Sequence, residues 1–414
     1  MDNHFFSSRR EFLKKSVLGA IGGVASAKAF ARPCSYSLAR TLVKQTTSLP
    51  ERTYYTYPHS NGFLDAQTCI VARHAAKSEL EYLAVDLTTG ESRVVAQVRD
   101  ARAYYAVALN GLMVVPLNHA IVIVDLKGGG APRRIELSPQ WKNAGDCDIR
   151  PDGAFVLVSR YKLTDPAQTC LDMINTQTSV ITNIHETSQL QIDHAHFSPH
   201  DPDWISFCDG SSHTRHRMWL WHATKAPNCR TVFHQKVANG TSFEIGHERA
   251  MFNKDSLLVC AFSSSSASPR GLYEVSFDGT TRFVSESNRD SHCNVSHDGR
   301  WAVASTLGPA NTEGGKFDLC ERAPSNWAES TKGYVDSDIA AVNIATGERQ
   351  FLFRASNAVT KANNGSEGYT SSQPYEAQPA ISPDGRWILV KDARTQSVIS
   401  IEIDRDALRA FLAG

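Results

Sequence analysis

One element recurs seven times along this chain: an alternating apolar strand that ends in a polar turn, at residues 82–90, 121–128, 171–176, 218–223, 272–279, 339–347 and 398–404. Successive turns lie roughly 40–65 residues apart, a blade-like spacing. A second element precedes most copies. It is a turn of the Ser-Pro-Asp-Gly type followed by an apolar strand, seen at Arg150-Pro-Asp-Gly153, Ser198-Pro-His-Asp201, Ser296-His-Asp-Gly299 and Ser382-Pro-Asp-Gly385, with weaker copies at Asn110-Gly111 and Asn253-Lys-Asp255. Two hairpins per unit, closed by Asp-Gly and Thr-Gly turns, make a four-stranded antiparallel sheet. Seven such sheets set radially form a β-propeller, whereas a two-sheet sandwich array would not need the same pair of elements seven times. The expectation is therefore an all-β, seven-bladed propeller, one domain over residues 32–414, because no blade buries both faces alone. Two long intervals, 307–336 and 355–375, read as inserts, and long loops on a rigid scaffold are where sites tend to lie.

The first thirty-one residues read differently. Ser8-Arg9-Arg10-Glu11-Phe12-Leu13-Lys14-Lys15 precedes a weakly apolar run at 17–24 and the small-residue site Ala29-Phe30-Ala31, the pattern of a twin-arginine export signal. The run is far shorter than the roughly 20 residues a spanning helix needs, and Cys34 lacks a lipobox, so no stable membrane anchor is expected. The twin-arginine (Tat) machinery is then an expected partner, and the periplasm or the exterior the expected location. The 43 basic residues balance 43 acidic ones, which removes any general electrostatic reason to bind nucleic acid. Nine cysteines, odd in number, scattered and without a CxxC, read as small buried residues, although the compartment permits disulfides.

Several histidines stand beside the start of a blade's innermost strand: His194 and His196, His247, and His292. In blade seven the equivalent stretch is Gln373-Pro-Tyr-Glu376-Ala-Gln378. Innermost strands converge on the central channel, so these residues should gather about one axis. Their nitrogen and oxygen donors suit hard or borderline divalent ions; for any single histidine, a structural hydrogen bond is the plainer reading. A second cluster, His213, Arg215, His216 and Arg217, lies between two blade-four strands. Its arginines are able to clamp carboxylates in bidentate fashion, the alternative being a solvated basic hairpin.

The combination His194-x-x-Phe-Ser-Pro-x-Asp-Pro-Asp-x-Ile-Ser-Phe-Cys208, Arg217-Met-Trp-Leu220, Gly246-His-Glu248 and Ser291-His-x-x-x-Ser-x-Asp-Gly299 resembles the oligogalacturonate lyases of polysaccharide lyase family 22, over about residues 190–390. That resemblance implies a seven-bladed propeller that cleaves short oligogalacturonides by β-elimination, with a Mn²⁺-type ion held by three histidines and a glutamine. It assigns His247 as base and Arg217 as catalytic arginine, and His292 and Gln373 as metal ligands. Glu376 and Gln378 stand where the family has two further histidines. A shell of His292, Gln373, Glu376 and Gln378 would be oxygen-rich, favouring Mn²⁺, with Ca²⁺ or Mg²⁺ as alternatives, over Zn²⁺. Arg215, His194, His213 and Tyr375 are the expected substrate contacts. Tyr375, water or the protonated base would supply the leaving-group proton.

Elimination from a 4-linked uronide removes the C5 proton beside a charged carboxylate. A cation must neutralise that carboxylate as charge develops. A neutral histidine, with an ordinary pKa near 6.5, is a suitable acceptor around pH 7. The expected function is thus an exported lyase acting on uronate-containing oligosaccharides. The alternative is a non-catalytic periplasmic propeller that binds an anionic glycan or a protein.

Overall fold

The computed structural model describes residues 41–76, 78–102, 104–210, 216–233, 245–261, 270–287, 290–306, 334–358 and 376–414. Their strands form seven four-stranded antiparallel sheets. A lone first strand, β1 (Val43–Ser48), is followed by blade one, made of β2 (Thr53–Tyr54), β3 (Thr68–Ala76), β4 (Glu79–Asp86) and β5 (Ser92–Arg99). Blade two holds β6 (Ala106–Val107), β7 (Leu112–Pro116), β8 (Ala120–Asp125) and β9 (Arg133–Glu136). Blade three holds β10 (Trp141–Ile149), β11 (Phe155–Lys162), β12 (Thr169–Asn175) and β13 (Ile181–Thr187). Blade four holds β14 (Ile192–Phe197), β15 (Trp204–Asp209), β16 (Met218–His222) and β17 (Ala226–Thr231). Blade five holds β18 (Ile245–Ala250), β19 (Ser256–Ala261), β20 (Gly271–Ser276) and β21 (Thr281–Glu286). Blade six holds β22 (Asp290–Val295), β23 (Trp301–Thr306), β24 (Tyr334–Asn343) and β25 (Arg349–Ala358). Blade seven holds β26 (Ala380–Ile381), β27 (Trp387–Asp392) and β28 (Ser397–Ile403), and it takes β1 as its fourth strand. This is a seven-bladed β-propeller.

Every copy of the sequence repeat is the third strand of a blade: β4, β8, β12, β16, β20, β24 and β28. The turns of the Ser-Pro-Asp-Gly type and their weaker copies join the first strand to the second in blades two to seven, with Asp-Gly itself in blades three, six and seven. Their chemistry repeats as well. In blades six and seven the Ser296 and Ser382 hydroxyls donate to Asp298 at 2.6 Å and Asp384 at 2.8 Å, and each accepts the backbone N–H of the tryptophan that opens the next strand. The glycine after each aspartate sits at positive φ (Gly299 68°, Gly385 70°), a conformation that a side chain strains. Pairing of β1 with β28, Thr46 opposite Ile401, closes the ring with both chain ends in one blade. A short helix, α1 (Arg405–Ala413), capped by the Asp404 carboxylate, buries Phe411 against that seam.

The core lies between blades rather than within them. Trp301, Val303 and Ile339 of blade six, for example, pack with Ile388, Val390 and Ile401 of blade seven. Because each sheet is covered on both faces, middle strands such as β19 and β27 are buried at every residue. Each large side chain so buried stabilises by roughly 1.5–3 kcal/mol. Cys69, Cys147, Cys170, Cys208, Cys260 and Cys293 are free and buried, and Cys229 is free and half-buried, in line with the reading of cysteines as small core residues. The export segment, Cys34, Cys320 and nearly all of the two long inserts lie outside the described residues. No described helix is long and apolar enough to cross a membrane.

Candidate functional site at the channel mouth

Four consecutive innermost strands share a break in register, at Asn143/Cys147, Asp193/His196, Gly246/Arg249 and Asp290/His292. A bulge of this kind bends a strand and re-aims a side chain. In blades four and five the residue at the break is a histidine in the left-handed region, His194 at φ 51° and His247 at φ 53°. Such a conformation is uncommon outside glycine and gathers at functional sites.

His247 and His292 stack, ring centroids 3.8 Å apart and planes 19° apart. Nδ1 of His247 is hydrogen-bonded to the Ser291 carbonyl, and since a carbonyl only accepts, Nδ1 carries the proton in the neutral ring. The lone pair is therefore on Nε2. Nδ1 of His292 lies 3.2 Å from the Ser291 hydroxyl, and its Nε2 lies 3.3 Å from Gln378 Nε2 and 3.6 Å from Glu376 Oε2. Gln378 also donates to Glu376 Oε2 at 3.3 Å, while its Oε1 accepts from Lys391 Nζ at 2.6 Å. Lys391 stands on β27 and is fully buried, 5.4 Å from the Tyr104 ring centre. Burial pushes its ammonium down to about 7, against the pull of the Glu376 carboxylate.

Blades four and five supply a second group around Tyr57. Its ring lies 4.6 Å from His194, 4.7 Å from His59, 5.4 Å from Tyr104, 6.1 Å from His292 and 6.5 Å from His247. Beyond it, His194 Nδ1 is 3.4 Å from Glu248 Oε1. Donor atoms of His194, Cys208 and Glu248 all lie within 4.8 Å of one another, the one such His/Cys/Asp/Glu group among the described residues. Arg217 donates to the Asp209 carbonyl at 3.1 Å. Burial works against its charge, but Cys208, Glu248 and Asp193 hold its pKa above the ordinary value. Glu248 is likewise buried, yet His194 and Arg217 keep its carboxyl well below the usual range. Burial opposes the His194 imidazolium too, and the Asp193 and Glu248 carboxylates work against that burial to raise its pKa. The Cys208 thiol is pushed up to about 12 by burial, so it is neutral at ordinary pH.

The expected residues therefore divide. His292, Glu376 and Gln378 meet on one side, His247 is stacked on them, and His194 stands across Tyr57, next to the Glu248 that Arg217 also pairs with electrostatically. His213, Arg215, Gln373 and Tyr375 lie outside the described residues. Tyr57, His59 and Lys391 were not anticipated. Tyr57-Pro-His59 sits just after the very short β2, where no repeat signature marks it, and Lys391 was hidden in an apolar strand, although a lone lysine there is itself a signal.

Behind the site, Asp148 of β10 accepts the Phe197 N–H at 2.9 Å, and burial raises its carboxyl to about 7. The folded state thus binds this proton more tightly than the unfolded chain. The resulting stabilisation is complete below about pH 4 and is lost as pH rises through about 7. Asp148→Asn should remove that slope, so thermal melts at about pH 5 and about pH 8 should differ less in the variant than in the wild type. Equal differences in both proteins would disprove the assignment.

No family model and no curated protein matches this chain. Solved structures do. An oligogalacturonate lyase in complex with manganese shares 16% identity at a TM-score of 0.69, covering 90% of this chain and 96% of that one. The oligogalacturonate lyase of Vibrio parahaemolyticus shares 15% at a TM-score of 0.70, covering 90% and 97%. Hydrazine synthase of Kuenenia stuttgartiensis shares 12% at a TM-score of 0.51, covering 84% and 96%. The likeness is one of fold. It covers 90% of this chain for both lyases, whereas the sequence resemblance was confined to about residues 190–390.

Proposed function

We propose that this propeller is a lyase that cleaves uronate-containing oligosaccharides by β-elimination at the channel mouth. The observation that carries the reading is His247, held at positive φ by a bulge, its Nδ1 committed to the Ser291 carbonyl. Its Nε2 is thereby left as the proton acceptor, in a site where the Arg217 guanidinium supplies permanent positive charge. The likeness in fold to two oligogalacturonate lyases supports the same chemistry.

In that chemistry Nε2 of His247 takes the C5 proton of the uronide. The electron pair of the C5–H bond becomes the C4–C5 double bond, the C4–O bond breaks, and the departing oxygen takes a proton from solvent or from the imidazolium. Arg217 is assigned to the substrate carboxylate, which must be neutralised as the C5 carbon gives up its proton. The manganese of the solved lyase belongs to that protein. Export through the twin-arginine route, read from Arg9 and Arg10, is part of the proposal; recovery of the chain only from the cytoplasmic fraction would remove that part.

The test is incubation with oligogalacturonides and other oligo-uronides while following the ultraviolet absorbance of the unsaturated product. Appearance of that absorbance supports the reading. Binding without any unsaturated product would instead leave an anionic-glycan-binding propeller.

A further inference from the structure

Of the ligand set that the resemblance implies, the three described residues, His292, Glu376 and Gln378, do not converge on a divalent ion. A metal needs lone pairs converging on one point. Here the Gln378 oxygen points to the Lys391 ammonium at 2.6 Å, and the Gln378 NH₂ lies between His292 Nε2 and Glu376 Oε2, 3.3 Å from each. The orientation of this amide is fixed by its partner: an ammonium has no lone pair, so only the oxygen end satisfies it. Turning the amide to offer its oxygen to an ion would set NH₂ against NH₃⁺. With its proton on Nδ1, the His292 ring would accept the Gln378 NH₂ at Nε2, 3.3 Å away. A dication seated among these three residues would also lie one amide's width from the buried Lys391 amino group, against which it would compete for the Gln378 oxygen.

Lys391 needs an explanation in its own right. Lysine is almost never fully buried without one, because desolvating its charge is unfavourable. It sits in Trp387-Ile-Leu-Val-Lys-Asp392, every residue of which is buried, and its head reaches the site between Gln378 and the Tyr104 ring. We infer that Lys391, bound to the Gln378 carbonyl behind His292 and Glu376, commits that amide away from a metal, so that His292, Glu376 and Gln378 hold no divalent ion and uronate carboxylates bind beside them without one. This rests on the lyase reading for its substrate class but not for its metal chemistry. Lys391 acts as a positioning residue: it sets which end of Gln378 faces His292.

Two measurements on the full chain test it. Mn²⁺ is titrated into the purified, chelator-treated protein while free Mn²⁺ is read by electron paramagnetic resonance. The expected result is no His292-dependent binding up to about 1 mM. One equivalent bound by the wild type and lost in His292→Ala would overturn the inference. Digalacturonate affinity is then compared in the wild type, Lys391→Met and Lys391→Arg. The methionine variant should stay folded, because losing the desolvated lysine head offsets part of the cost of leaving the Gln378 carbonyl without its donor, and a melting curve checks this. It should also bind about tenfold more weakly, with arginine restoring part of the loss. Unchanged affinity in a folded Lys391→Met would overturn the positioning role. If the wild type binds no uronide, the lyase reading and the role of Lys391 toward uronates both fall, and the Mn²⁺ titration still decides whether the site holds an ion.

Discussion

His247→Ala should lower kcat for oligo-uronide elimination by roughly 10²–10⁴-fold, the contribution of one well-placed general base, with little change in digalacturonate affinity. The split is expected because the ring is the proposed proton acceptor and not the carboxylate's partner, a role given to Arg217. Its tautomer is set by the Ser291 carbonyl, and its orientation by that bond together with the 3.8 Å stack on His292. Loss of the ring leaves Ser291 without this contact, so the variant's melting curve must be measured beside its kinetics. Added imidazole offers a second check, since it can enter the space vacated by the side chain and supply the missing lone pair. A folded variant that keeps kcat within about threefold, or that loses only affinity, would show that His247 is not the base.

Why the ring of blades was legible and much of the site was not follows from where sequence signal resides. The third strands are alternating apolar runs of five to ten residues that end in polar turns, so each of the seven announced itself, and the turn serines and aspartates marked the strand before. Innermost strands are different. β2, β6 and β26 are only two residues long, and β10, β14, β18 and β22 are broken by bulges. Alternation cannot be read through a bulge, because the extra residue shifts every later side chain to the other face. His194 and His247 were visible as residue types, but nothing in the sequence shows that both adopt positive φ. His292 with Glu376 and Gln378 was legible by blade equivalence, and the structure brings them together. Lys391, which is bonded to Gln378 at 2.6 Å, stands in an apolar strand and was not anticipated. In blade one, Tyr57 and His59 follow a two-residue strand with no turn signature, although Tyr57 is the ring around which the channel histidines are arranged.

The largest expected effect on stability is at the pair that fixes the start of β22. Asp290 and Arg349 are both buried, with Nη1 donating to Oδ1 at 2.8 Å and Nη2 to Oδ2 at 2.5 Å, and Arg349 Nε donates to the Ser285 hydroxyl at 2.8 Å. Ser285 belongs to the outermost strand of blade five, Arg349 to the outermost and Asp290 to the innermost strand of blade six, so one guanidinium joins three strands across two blades. Asp290 also stands two residues before His292. Arg349→Met should therefore destabilise by about 3–5 kcal/mol, because it leaves a buried carboxylate without its partner. The double variant Asp290→Asn/Arg349→Met should recover much of that loss, since the uncompensated charge is then gone. Urea unfolding of the three proteins measures both quantities. A single variant within about 1 kcal/mol of the wild type would mean that water or another cation reaches Asp290 once the arginine is removed. The placement of His292 would then rest on the Ser296-His-Asp-Gly299 turn and on inter-blade packing around Cys293 and Val295 rather than on this ion pair.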